Sequence, residues 1–142
     1  MPRLLAVLVG CNYRDGRRPE VPPLKGAEDD ARHVAAFLTH NPIANGELGR
    51  VDLLLGMDAT TDNIRLALRQ AVGAQAPEDT LFFYFSGHGQ RSADGLSLYT
   101  VDSQYHTADL LSEFQRDLPT RIVLDCCHAG AISLPPAAAG TP

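Results

Sequence analysis

Ile122-Val123-Leu124-Asp125-Cys126-Cys127-His128-Ala129-Gly130 decides how this chain is read: an aliphatic run that ends abruptly in an acid, two thiols, an imidazole and a glycine. Such a run reads as a buried strand, and in open α/β sheets ligands and chemistry gather at the carboxyl ends of the strands. Leu81-Phe82-Phe83-Tyr84-Phe85 has the same form and runs into Ser86-Gly87-His88-Gly89. Two buried strands, one ending in cysteine and one in a glycine-flanked histidine, suggest a thiol nucleophile with an imidazole base.

Working outward, Leu4 to Cys11 is a continuous apolar run of the kind shown by a strand covered on both faces. The polar, proline-punctuated stretch from Asn12 to Pro23 reads first as a solvated surface loop, and second as the rim of a substrate cleft or a cleavage site at Arg17-Arg18. Ala27, Ala31, Val34, Ala35 and Leu38 recur at helical spacing, which predicts a helix from about Gly26 with Glu28, Asp29 and Asp30 in its first turn, where the helix dipole favours acids. After a loop from Asn41 to Gly49, a short strand is expected over Val51 to Leu55. A helix capped by Thr60 or Thr61 follows, with Ile64, Ala67, Leu68, Ala71 and Val72 on one face. Leu96, Leu98 and Tyr99 hint at a short strand or hairpin after His88, and Leu110, Leu111, Phe114 and Leu118 predict a third helix closed by Pro119. Strands alternating with helices call for a parallel sheet with helices on both faces. The tail from Ile132 to Pro142 is small, proline-rich and uncharged, and reads as a linker. The strand that carries Cys127 would then be an apolar edge, which sheets rarely leave open.

The chain has 142 residues, 44% of them hydrophobic, enough for one domain with a core. A net charge of −5 with no block of like charge gives no footprint for nucleic acid. The run from Leu4 to Val9 is too short to span a membrane and lacks the surroundings of a signal peptide. Three cysteines, two of them adjacent, do not form a disulfide framework and favour a reducing, cytoplasmic setting.

Side chains alternate across a strand, so Asp125 and Cys127 share one side and Cys126 takes the other; Ser86 and His88 pair in the same way. If the strands are neighbours, these polar groups converge at one rim. A nearby histidine can take the proton of a thiol, the N–H groups of Gly89 and Cys127 can bind the oxyanion that forms on attack, and His88 can then protonate the leaving amine. Separately, each feature has a plainer reading: a cysteine at a strand end is often a small buried hydrophobe, and a lone histidine a hydrogen-bonded structural residue. A metal site of His88, Cys126, Cys127 and His128 lacks a spaced ligand pair.

Together, SGHG after an aromatic strand, DCCHAG after an aliphatic one, and the upstream Leu24-Lys25-Gly26-Ala27-Glu28-Asp29-Asp30-Ala31 resemble the caspase-like cysteine peptidases, metacaspases and their bacterial relatives above all. The resemblance covers roughly residues 4 to 131. It implies a three-layer α/β sandwich around a mostly parallel sheet, with residues 1–131 as the large-subunit catalytic domain, 132–142 as linker or truncated tail, and the C-terminal strands missing. It implies a dyad of His88 and Cys127, with Cys126 where the family often has a small residue. It further implies a cysteine endopeptidase cutting after Arg or Lys, which Asp30, Ser86 and Asp125 would select. Two carboxylates there suit a guanidinium or ammonium.

Two departures from the family pattern stand out. Asp94, Asp102 and Asp109 are scattered and form no adjacent acidic pair of the kind that binds calcium, so no cofactor is expected. The family's domain also continues into a small-subunit part, which would pair with the open edge as a segment or a separate chain; the other partner would be the polypeptide substrate. One rival is a non-catalytic scaffold of the same fold, or a fragment inactive without that partner. The other, a nucleotide-binding α/β domain, would want a Gly-rich phosphate loop after the first strand, and Gly10 to Gly16 (GCNYRDG) is not one.

Overall fold

A computed structural model describes residues 2–14, 17–41, 47–93 and 95–126. Cys127, His128, the expected linker and Asp94 therefore lie outside the described residues.

Four strands, β1 (Arg3–Gly10), β2 (Glu47–Leu55), β3 (Thr80–Gly87) and β7 (Thr120–Cys126), form an all-parallel sheet in the order β2-β1-β3-β7. Between β1 and β2 lies α1 (Ala27–His40), and between β2 and β3 lies α2 (Thr61–Ala74). The chain steps from β1 to one side and then returns to the other. Right-handed crossovers in opposite directions put the two helices on opposite faces of the sheet. The alternation of β1 shows this: Leu5, Val7 and Val9 join the cluster with Ile64, Leu68 and Ala71 of α2, while Ala6 and Leu8 join the one with Ala31 of α1. Burial on both faces is what the unbroken apolar run of β1 requires. Thr60 caps α2, its hydroxyl accepting from the Asn63 N–H at 3.0 Å.

Between β3 and β7 the chain forms a small antiparallel sheet of β4 (Gly89–Ser92), β5 (Gly95–Tyr99) and β6 (Gln104–His106). The expected third helix is shorter and earlier: α3 spans Thr107–Leu111. The reason is local. Glu113 N–H and Phe114 N–H bond three residues back, to Leu110 and Leu111, which tightens the chain out of α geometry. Glu113 then reaches Arg69 at 3.0 Å, and the Phe114 ring meets Phe83 edge-on at 6.4 Å. The second strand is longer than expected, starting at Glu47, with a register shift between Leu4 and Leu5 that takes up one residue of β2, Gly49.

Among the described strands β7 is a sheet edge. Ile122 and Leu124 pack on the core, whereas Val123, opposite Tyr84 in register, is 44% exposed. No helix among the described residues is long and apolar enough to cross a membrane.

Candidate active site

The carboxyl ends of β1, β3 and β7 meet where the chain reverses its direction across the sheet, the position at which open α/β sheets place their ligands. In the parallel register of β3 and β7, Ser86 lies opposite Asp125 and Gly87 opposite Cys126. Gly10, next in line on β1, allows α1 to come unusually close: a Cβ there would sit 2.6 Å from the Ala27 carbonyl oxygen. That contact draws the first turn of α1, with Asp30, over the strand ends.

The result is a cavity of about 220 Å³ lined by Leu24, Lys25, Gly26, Ala27, Asp30, Ser86, Gly87, Asp125 and Cys126. The Ser86 hydroxyl points to Asp30 Oδ2 at 3.5 Å, and the Tyr84 hydroxyl donates to Asp125 Oδ2 at 3.2 Å. Burial, chiefly, and the charges of Asp125 and Asp30 push the Tyr84 hydroxyl up to about 12, so it stays protonated and neutral as a donor. Two carboxylates on one small cavity make it an acceptor-rich socket for a cation.

The Cys126 thiol takes the opposite face. Its Sγ lies 3.1 Å from where a Cβ on Gly89 would sit, and the residue belongs to the main core cluster with Phe85 and Leu96. Asp125 is exposed on the cavity side. The alternation read from the sequence for these two residues is thus present; Cys127, next in the chain, lies outside the described residues.

His88 follows directly on β3 but does not share Ser86's cavity. The strand ends at Gly87, and His88 lines an adjoining cleft of about 500 Å³ with Pro22, Val21, Glu20, Arg18, Gly89, Gln90, Tyr99 and Gln104. Its Nε2 lies 2.7 Å from the Pro22 carbonyl oxygen. A carbonyl only accepts, so Nε2 carries the proton and Nδ1 of the neutral ring keeps its lone pair. Arg18, Glu20, Val21 and Pro22 therefore form one wall of this cleft rather than plain surface. Nothing in the composition of a polar loop says which of its carbonyls will face a histidine.

Two further residues of the loop were missed. Asn12 caps α1 from outside: its Oδ1 accepts from the Glu28 N–H at 3.1 Å, while the Glu28 carboxylate accepts the Asn12 N–H at 2.9 Å. Tyr13 is buried, and its hydroxyl accepts from the His88 N–H at 2.9 Å. Nothing in residues 10–16 (GCNYRDG) signals either contact. Gly89 sits in β4 opposite Leu98. Because Tyr99 N–H bonds the His88 carbonyl at 2.9 Å, ladder alternation makes Gly89 and Leu98 a pair that exchanges no hydrogen bonds, and turns the Gly89 N–H away from β5. Among the described residues no group of three or more His, Cys, Asp or Glu is placed to hold a metal ion.

Residues 3–140 match the peptidase C14 family, described as the caspase domain. The chain is 28% identical to Metacaspase-1 of Kluyveromyces lactis, over 92% of this chain and 34% of that protein. It is 30% identical to Metacaspase-1 of Pyricularia oryzae over 92% of this chain and 37% of that protein. With Metacaspase-6 of Arabidopsis thaliana the identity is 29%, over 89% of this chain and 38% of that protein. The chain therefore spans roughly a third of the length of these relatives. The crystal structure of protein GSU0716 from Geobacter sulfurreducens shares the fold, with a TM-score of 0.72 at 21% identity over 89% of this chain and 51% of that one.

Proposed function

The chain belongs to the caspase-domain family of cysteine peptidases, and from that premise we propose that it is the catalytic part of an endopeptidase that cuts after Arg or Lys, with His88 and Cys127 as its dyad. One observation carries the specificity: Asp30, Ser86 and Asp125 line a single cavity beside the strand end that leads into Cys127. A basic side chain seated there brings its own carbonyl to the lip between β3 and β7.

In this reading His88 Nδ1 accepts the Cys127 thiol proton, and the thiolate attacks the carbonyl carbon. The N–H groups of Gly89 and Cys127 hold the oxyanion. Collapse breaks the C–N bond, the proton on Nδ1 goes to the leaving amine, and a thioester remains. Water, deprotonated at Nδ1, then releases the acid and restores the thiol. Pro22 supports the cycle by holding the proton on Nε2, so that the reactive nitrogen is Nδ1 throughout.

The exposed Val123 edge of β7 favours a partner: a small-subunit segment or chain that adds its strand there. The test is a full-length protein incubated with peptides carrying Arg, Lys or Asp before a reporter group. Cleavage after Arg and Lys that vanishes in Cys127→Ala supports the enzyme. An intact full-length protein that cleaves none of them leaves the non-catalytic scaffold as the better reading.

A further inference from the structure

Tyr13 is the single non-glycine residue at positive φ among the described residues, at +57°. A side chain in that region is strained and persists only where its surroundings impose it. The surroundings here are explicit. Asn12 is locked to Glu28 on both its N–H and its side chain, and its carbonyl accepts the Leu24 N–H at 2.8 Å. The forced turn sends the Tyr13 ring inward, where it is 5% exposed.

Its destination is a gap in a β-ladder. His88 and Tyr99 face each other as a hydrogen-bonded antiparallel pair, and one of the two expected bonds is made, from Tyr99 N–H to the His88 carbonyl at 2.9 Å. The second, from His88 N–H to the Tyr99 carbonyl, is replaced by a relay. The Tyr13 hydroxyl accepts from His88 N–H at 2.9 Å and donates to the Tyr99 carbonyl at 2.6 Å. The Tyr13 ring also lies 5.0 Å from the His88 imidazole at 34°. Gly87 leaves room for the hydroxyl, since a Cβ there would meet it at 2.5 Å.

We propose that Tyr13 is a positioning residue for His88: its hydroxyl wedges the strand pair open at residue 88 and, with its ring, sets the imidazole against the Pro22 carbonyl. Without the hydroxyl, His88 N–H either closes onto Tyr99 or loses its partner, and both move the ring. The inference rests on His88 as the base of the proposed dyad, and displacing a catalytic group by about 1 Å can cost on the order of 100-fold in rate.

The experiment uses the full-length protein with Tyr13→Phe, which keeps the ring and removes only the hydroxyl. The expected result is a kcat lower by about 10- to 100-fold with KM changed less than about threefold. Histidine-labelled ¹⁵N spectra should show the His88 Nδ1 and Nε2 shifts moving from the wild-type tautomer pattern. A folded Tyr13→Phe protein with wild-type kcat and unchanged His88 shifts overturns the inference. So does a loss of activity that only tracks a lost folded fraction. Should Tyr13→Phe fail to fold, Gly87→Ala displaces the hydroxyl while retaining it; the same kcat loss is expected, and wild-type kcat there overturns the inference. His88→Ala run alongside separates the levels: if it stays active, the dyad itself is wrong, whereas an inactive His88→Ala beside an unaffected Tyr13→Phe removes only the role of Tyr13.

Discussion

His88 Nε2 lies 2.7 Å from the carbonyl oxygen of Pro22, a backbone group 66 residues upstream. This contact fixes which imidazole nitrogen is free for chemistry. Neutral His88 is therefore expected to be the Nε2–H tautomer, and long-range ¹H–¹⁵N spectra should show a pyridine-like Nδ1. A dominant Nδ1–H tautomer would mean that the loop does not hold the ring in this way.

Charge in the smaller cavity comes from Asp30 and Asp125. Asp125→Asn and Asp30→Asn are each expected to lower kcat/KM for Arg and Lys peptides by about 10- to 100-fold, the scale of one lost hydrogen bond to a charged group. Asp125→Lys should abolish the preference for basic residues. Peptide-library profiling of the variants measures both, and an unchanged profile would detach the cavity from specificity.

Asp79, 1% exposed, ties the start of β1 to the start of β3. It accepts from the Arg3 guanidinium at 2.7 Å, the Arg3 N–H at 3.0 Å and the Ala76 N–H at 2.8 Å. The Arg3 hydrogen bond, above the opposing effect of burial, lowers its carboxyl from 3.8 to about 2. The folded value lies below the unfolded one, so the contribution is whole above pH 3.8 and is lost as pH falls from there towards 2. Asp79→Asn should destabilise the protein by about 2 kcal/mol at neutral pH and flatten that acid limb. Urea unfolding across pH 2 to 7 checks both.

Gly10→Ala puts a Cβ 2.6 Å from the Ala27 carbonyl oxygen, backbone against backbone. Either α1 shifts or the strand does, at a cost of about 2 kcal/mol. Because Asp30 rides on α1, the variant should lose selectivity for basic peptides as well as thermal stability. Gly73→Ala, where an added Cβ meets nothing within 4 Å in α2, is the control and should raise stability slightly.

The parts of the fold that sequence shows are those with a local period. An unbroken apolar run marked β1, and one-sided stripes marked α1 and α2, because burial on two faces or on one imprints itself on neighbouring residues. The region after Leu110 misled for the same reason reversed. Leu110, Leu111, Phe114 and Leu118 keep a helical spacing, yet of these Leu110 enters the core from α3 and Phe114 packs on it from beyond the helix, edge-on to Phe83.

By itself the sequence determined the parallel sheet, the two strand ends that bear Ser86-Gly87-His88 and Asp125-Cys126, and the opposite facing of those last two, since strand alternation and chain order need no partner to be read. Only the tertiary structure decided that Asn12 meets Leu24 across the loop, that Pro22 offers its carbonyl to His88, and that the Tyr13 hydroxyl fills a missing ladder bond. The last two join residues 66 to 86 positions apart through backbone atoms that every amino acid carries. A group common to all residues leaves no mark on side-chain pattern, and it acquires a role only when the chain has closed around it.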